Sequence, residues 1–338
     1  MNKRLPAEWE TQSAVQLTFP HKNSDWAPVL DQVIPCFVAI AEAISQFQKV
    51  LIVCDNVQEV QSYLKNIPAE QLILVQIPSN DTWARDHGAI TIEEDGEMTL
   101  LDFIFNGWGM KFAADKDNLI NYRLFEQGIF KANVLFKVGM VLEGGAIESD
   151  GKGVIMTTTN CQLSPNRNPH LNQDDIEESF KNLLGAQKVL WLENGYLAGD
   201  DTDSHIDTLA RFCDERTIAY VQCTDEKDEH FEALAAMEKE LQAFTDLEGN
   251  PYNLVPLPMA DACHDDEGNR IPATYANFTI INGAVLVPTY GVAQDQAAID
   301  ILQTCFPDRE IIGINCFPLI LEHGSLHCVT MQYPKGVL

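Results

Sequence analysis

The sequence predicts a closed α/β assembly of five blades, built from helix–strand–hairpin repeats. Three observations predict it. Single buried strands recur along the chain, and most lead through a short polar loop into a two-stranded segment. Each two-stranded segment carries turn residues at its middle, where Asp-Gly or Asn-Gly tolerates a positive φ. The first and last strands lack hairpin partners, so pairing them would close a ring and leave no open edge.

The elements follow in order. The first strand is 13–20, and a helix at 29–46 leads to buried strands at 49–54 and 72–78. One hairpin spans 88–105 with its turn at Glu94-Asp95-Gly96, and a second spans 143–158 with its turn at 149–153. A helix at 173–185 has Asn172 as its N-cap and acidic residues in its first turn, where they suit the helix dipole. After the strand at 188–192 comes a hairpin at 205–223 turning at 214–216, then a helix at 229–244 and a strand at 253–257. The fourth hairpin, 275–289, turns at Asn282-Gly283 and precedes a helix at 292–304 and a strand at 310–316. The run 323–332 alternates Leu326, Cys328 and Thr330 against His327, Val329 and Met331, which reads as the last strand. An ordinary mixed sheet explains the turns but not their periodicity.

The 338 residues read as one domain, 1–338, of globular composition. No apolar run approaches the roughly 20 residues that span a bilayer, and the first ten residues carry no signal-peptide stretch, so the expected location is the cytoplasm. Nine cysteines at irregular spacing, with no CxxC pair, fit neither a disulfide framework nor a structural zinc site. The chain has 22 Lys and Arg against 50 Asp and Glu, a net charge of −28. That balance repels nucleic acid and anionic membrane. It suits solubility, capture of a cationic substrate, or both. Oligomeric state, homo-oligomers included, is left open.

Each blade places polar residues at the lead-in to its hairpin, and a ring would bring these to one mouth. The lead-ins are 82–88, 142–148, 199–207, 273–278 and 323–328. Asp86, Glu143, His205, Asp207, Asn277 and Cys328 would then face one cavity, with His205 and Asp207 on one face of a strand. Taken singly, each has a plain reading. Cys328 is core filler or a nucleophile, His205 a structural histidine, Asp86 a surface partner of Arg85. Asp200, Asp201 and Asp203 form a solvated acidic loop or an oxygen-ligand site for calcium, although the apolar strand after them is unlike an EF-hand loop.

Taken together, a thiol, an imidazole and three carboxylates at equivalent points of a repeat point to chemistry. His205 could activate Cys328 and later protonate a leaving group. Two extra carboxylates would hinder a thiolate unless a cation binds between them, and a guanidinium matches carboxylates through paired N–H donors. The expected reaction is attack of Cys328 on a guanidinium carbon, loss of ammonia, and hydrolysis of an S-alkylthiouronium intermediate.

At these residues the chain resembles the guanidine-modifying deiminases, most closely the agmatine deiminase and bacterial-type peptidylarginine deiminase branch. The resemblance rests on Pro-Ala-Glu-Trp-Glu (6–10), Trp-Ala-Arg-Asp (83–86), Leu-Asp-Phe and Phe-Asn-Gly-Trp-Gly (within 101–109), Leu-Glu-Gly-Gly-Ala-Ile-Glu (142–148), His-Ile-Asp (205–207) and Leu-His-Cys (326–328). It implies a five-bladed pseudosymmetric α/β-propeller that needs no metal or organic cofactor and acts on a small cationic guanidino substrate. It further implies Cys328 as nucleophile, His205 as general acid/base, Asp86 and Asp207 gripping the guanidinium, and Glu143 supporting the histidine. Trp83 would wall the pocket, and Asp201 would meet a distal amine. Agmatine is the expected substrate; peptidyl or free arginine, or an amidinotransferase reaction, is the alternative. The chain departs from the agmatine-specific pattern at His323-Gly324-Ser325-Leu326, where those enzymes are glycine-rich, so the far end of the substrate is where a difference is expected.

Overall fold

The computed structural model describes residues 3–132 and 134–338. Its strands form six separate sheets and no closed barrel among the described residues. Five of the sheets contain the same unit: an antiparallel pair whose second strand runs parallel to a third, reached through a helix. In the first, Met331–Pro334 pairs antiparallel with Gln12–Thr18, which crosses through helix Leu30–Ser45 to Lys49–Cys54. The others join Ile90–Glu94, Glu97–Ile104 and Leu135–Val141; Ile147–Ser149, Val154–Thr158 and Lys188–Leu192; Ala210–Asp214, Thr217–Gln222 and Asn253–Pro258; and Thr279–Ile281, Ala284–Thr289 and Glu310–Asn315. Helices Ile120–Glu126, Gln173–Leu184, Phe231–Ala243 and Asp295–Cys305 make the corresponding crossovers.

The first and last long strands pair as the sequence predicts, Met331 opposite Gln16. Two details differ. The hairpin at 90–104 joins the strand that follows it, not the buried strand before it; Leu72–Gln76 instead lies at the edge of the terminal sheet. Leu135–Val141, absent from the sequence reading, is the missing third strand, and its exposed Phe136, Lys137 and Gly139 dilute the apolar pattern. A two-stranded ribbon, Cys263–His264 with Arg270–Ile271, also escaped that reading.

Local signals explain the helices. Asn172 and Asp175 form a reciprocal capping box at the start of Gln173–Leu184, and Gly185 ends the helix at φ 76°. Leu30–Ser45 corrects an expectation. Taken with the preceding turn, Ala27–Ser45 has 19 residues and mean hydropathy 1.6, long and apolar enough to cross a membrane. Here Phe37, Ile40 and Ile44 are fully buried, and the helix packs on Lys49–Cys54 and Glu310–Asn315. Core burial accounts for its composition.

Candidate active site

The lead-ins are tight turns rather than strands. Asp86 lies in the single helical turn Ala84–His87, Glu143 just before the turn Gly144–Ala146, and His205 just before Ile206–Thr208. Cys328 sits in a turn that ends before the strand Met331–Pro334, so the strand expected through 323–332 begins late. Side chains impose these turns. Asp200 accepts from Ser204 N at 2.7 Å and Thr202 Oγ1 at 2.5 Å, and Thr208 Oγ1 donates to His205 O at 2.8 Å. Asn277 Oδ1 accepts from His327 N at 2.8 Å and from Cys328 N at 3.4 Å. Strand placement of His205 and Asp207 on one face is therefore replaced by a 3-10 turn.

The turns still converge. A Cβ on Gly145 would lie 2.7 Å from His205 Nδ1, 2.8 Å from Asp86 Oδ1 and 3.1 Å from Asp207 Oδ2, so only glycine lets the three groups meet there. His205 Nδ1 is 3.6 Å from Asp86 Oδ1. Cys328 Sγ lies 3.4 Å from Asn277 Oδ1 and 3.8 Å from Asp207 Oδ2. Its hydrogen-bond partners do not include His205. Both imidazole nitrogens of His205 and Asp207 Oδ1 are buried without hydrogen-bond partners.

Above them opens a cavity of about 280 Å³. Cys328 and Asp86, each 4% exposed, form its floor. Trp83, Trp108 and Phe112 supply apolar walls. Gly324 packs against Trp83 so closely that a Cβ would sit 2.2 Å from the ring. Asp25, Asp81, Asp201 and Glu322 ring the outer part, and no Lys or Arg lines the cavity among the described residues. Glu143, His205, Asp207 and Asn277 are fully buried and do not line it. For all four this corrects the expected placement in one cavity, and the Asn277 side chain instead holds the Cys328 turn from behind while its Nδ2 donates to Asp207 O at 3.1 Å.

Electrostatics divide the groups. Burial, reinforced by Asp207, pushes Asp86 well above the usual carboxylate range, against hydrogen bonds from Trp108 Nε1 (2.9 Å) and Gly145 N (3.0 Å). Burial acts on Asp207 in the same direction, but the His327 hydrogen bond, with the nearby Arg211 guanidinium, brings it below its ordinary value. Burial lowers His205 to about 3, and burial with Asp207 and Asp86 drives Cys328 well upward. The unliganded site thus holds a thiol and a neutral imidazole.

Glu143 is beside His205 but bonds elsewhere: Arg167 Nε donates to both its oxygens, at 2.9 and 3.0 Å. Arg167 also reaches Asp203 at 2.6 Å, and Lys111 meets the same carboxylate at 2.7 Å. Asp203 is thereby a partner of cations from the protein itself, not an open oxygen ligand. Among the described residues two buried sets have metal-ligand chemistry, Glu143 with Cys161 and His205, and Glu8 with Glu148 and His327. In each, an arginine already bonds the carboxylates: Arg167 in the first, Arg211 in the second.

Sequence reading gave no role to Trp108, Glu322, Glu8, His327, Arg167 or Arg211. Trp108, Glu8 and His327 stand within the motif segments, which was the available signal. Trp108 adopts φ 54° in a run with Gly107, Gly109 and Met110, all left-handed, and that strained loop aims the indole N–H at Asp86. Glu322 had no signal. Arg85, expected as a surface partner of Asp86, is buried beside Glu8 and does not line the cavity.

A mixed α/β fold with a buried thiol, an imidazole and a carboxylate pair beneath an acidic, aromatic-walled cavity has the features of an enzyme active site. The chain belongs to the Porphyromonas-type peptidyl-arginine deiminase family, whose pattern it matches over residues 4–334. It is similar to a solved structure called a "Putative Arginine Deiminase" from Porphyromonas gingivalis: 52% identity, 99% of each chain covered, TM-score 0.95. It is also similar to a C. jejuni agmatine deiminase solved with substrate bound, at 39% identity, with 99% of this chain and 97% of that one covered and a TM-score of 0.93. A protein of Marinomonas sp. (strain MWYL1) named "Putative agmatine deiminase" is 32% identical, over 98% of this chain and 94% of its own length.

Proposed function

We propose that the protein deiminates agmatine, giving N-carbamoylputrescine and ammonia. One observation carries this: a cavity that ends at Cys328 is lined by Asp25, Asp81, Asp86, Asp201 and Glu322, with no Lys or Arg among its described lining residues. Such a lining favours a substrate cationic at both ends and offers an α-carboxylate no Lys or Arg among the described residues. The five recurring three-strand units are read as the blades of one α/β-propeller domain spanning 1–338.

The proposed chemistry assigns each of these groups a step. A guanidinium entering between Asp86 and Asp207 takes paired hydrogen bonds, and its charge stabilises Asp86 as an anion. The same cation lowers the cost of a thiolate at Cys328. Sγ attacks the guanidinium carbon, and His205 carries the thiol proton to the departing nitrogen, which leaves as ammonia. Water, deprotonated by His205, then attacks the S-alkylthiouronium carbon, and collapse returns the thiol and releases the ureido product. Glu143 and Arg167 hold the segment before His205 in place through Asp203 and Thr202 O.

A second reading, deimination of free or peptidyl arginine, is favoured by the 52% identity to the P. gingivalis protein. Purified protein given agmatine, arginine and a C-terminal-arginine peptide, with ammonia and ureido product assayed, separates the two. Turnover of agmatine with a kcat/KM well above that of either arginine substrate supports the proposal. Turnover of arginine alone sinks it.

A further inference from the structure

Behind Cys328 lies a buried ionic network that the reaction as written does not use. His327, the residue before the nucleophile, is 1% exposed and meets a carboxylate at each ring nitrogen. Nδ1 is 2.7 Å from Asp207 Oδ2 and Nε2 is 2.8 Å from Glu8 Oε2. An ionised carboxylate only accepts, so an imidazole facing two of them is satisfied only when both nitrogens carry hydrogen.

Glu8 is ionised by its surroundings. Its Oε1 accepts from Ile280 N at 2.6 Å, and its Oε2 from Arg211 Nη2 at 2.5 Å as well as from His327. Burial opposes its charge, but Arg211, His327 and Arg85 outweigh that and hold its carboxyl well below the usual range. The charges balance when Arg85, Arg211 and His327 as cations face Glu8, Glu148 and Asp207 as anions, all of them buried. With these three carboxyls ionised, a neutral His327 would leave one uncompensated negative charge, and in any case one imidazole nitrogen lone pair would face a carboxylate.

We propose that His327 and Glu8 are positioning residues: an imidazolium at His327, clamped by Glu8, fixes Asp207 as the ionised member of the guanidinium-gripping pair. The proposal rests on the reading that Asp86 and Asp207 hold a guanidinium. It brings the N-terminal segment around Glu8 into the machinery, although Glu8 touches no reacting atom. The groups facing Asp207 are His327 and Cys328 from the terminal turn, His205 from its own turn, Asp86 from Ala84–His87, Arg211 from Ala210–Asp214, and Arg85. Of these, His327 makes the direct charged hydrogen bond. Asp86 has only neutral donors, Trp108 Nε1 and Gly145 N. The pair is therefore asymmetric before substrate arrives: Asp207 faces a charged donor and Asp86 only neutral ones.

Two measurements test this. In unliganded wild-type protein labelled with ¹⁵N-histidine, both His327 ring nitrogens should show protonated-type shifts at the assay pH, with His327→Asn supplying the assignment. One unprotonated nitrogen overturns the proposal. In Glu8→Gln, which keeps the acceptor and removes the charge, the acidic limb of kcat/KM against pH should move up by about one unit. At neutral pH kcat/KM should fall about tenfold or more, mostly through KM. Glu10→Gln, which removes a surface partner of Arg4, should leave the profile in place. A folded Glu8→Gln with an unmoved acidic limb overturns the positioning role, because a merely structural Glu8 would lower the melting temperature without moving it. The two readings fail separately: a wild type inert to agmatine but with a doubly protonated His327 refutes only the substrate, whereas an active wild type with a neutral His327 refutes only the relay.

Discussion

Glu322 offers a test in which stability and function move in opposite directions. Its side chain is half-buried at the outer part of the cavity, and burial, with the charges of Asp81 and Asp25, raises its carboxyl from 4.5 to about 7. A raised carboxyl means the folded protein binds a proton more tightly than the unfolded chain does. Stability therefore falls as pH rises from 4.5 through 7, and the penalty is complete above 7. For a fully buried group that displacement would be worth roughly 3 kcal/mol. Solvent screening at a half-exposed site reduces it to about 1 kcal/mol. Glu322→Gln removes the ionisation, so urea unfolding at pH 8 should show the variant more stable by about 1 kcal/mol, with no difference near pH 4.5. The same change removes one of the acids proposed to meet a distal ammonium, so KM for agmatine at pH 8 should rise about three- to tenfold, with kcat nearly unchanged. A variant no more stable at pH 8 refutes the electrostatic reading. An unchanged KM refutes the role of Glu322 in substrate capture.

Cys328→Ser and Cys328→Ala should lower turnover at least about a thousandfold while leaving the thermal unfolding midpoint close to wild type; retained turnover in either would exclude the covalent route. Gly324→Ala places a methyl where the Trp83 ring stands, so urea unfolding should show a loss of about 1–3 kcal/mol, and KM should rise as the wall shifts. His205, held near 3 by burial, is neutral in the folded protein and takes up a proton on unfolding below 6.5. Stability should therefore fall as pH drops from 6.5 toward 3, and His205→Asn should be less acid-sensitive over that window in urea titrations. Arg167→Met strands the buried Glu143 carboxylate and should cost about 3–5 kcal/mol in unfolding free energy.

What the sequence revealed depended on how local the signal was. Asn172, Asp175 and Gly185 declare a helix within a few residues, and Asp95-Gly96 declares a turn, so these elements were legible. Pairing of the first and last strands followed from an argument about edges, which needs no contact information. The partner of the hairpin at 90–104 was not legible, because sheet order is set by a helical crossover, and Leu135–Val141 exposes alternate residues without a clean period. The reactive set at Cys328, His205, Asp86 and Asp207 was chemically conspicuous, yet its local geometry was misjudged. Three- and four-residue turns such as Ala84–His87 and Ile206–Thr208 are too short for any periodicity and are fixed by side-chain hydrogen bonds. Asn277 looked like a ligand group because polar residues at loop ends usually are. Here it bonds the Cys328 turn. His327 and Glu8 sat in view within recognisable segments, but their joint position, 319 residues apart in sequence, exists only in the fold.

Rapid-quench mass spectrometry of the enzyme mixed with agmatine tests the central claim most directly. The account predicts a transient adduct on the Cys328 peptide, heavier by agmatine less ammonia, that decays as N-carbamoylputrescine forms. Consumption of agmatine with no adduct at any mixing time, together with activity that survives Cys328→Ser, would contradict it.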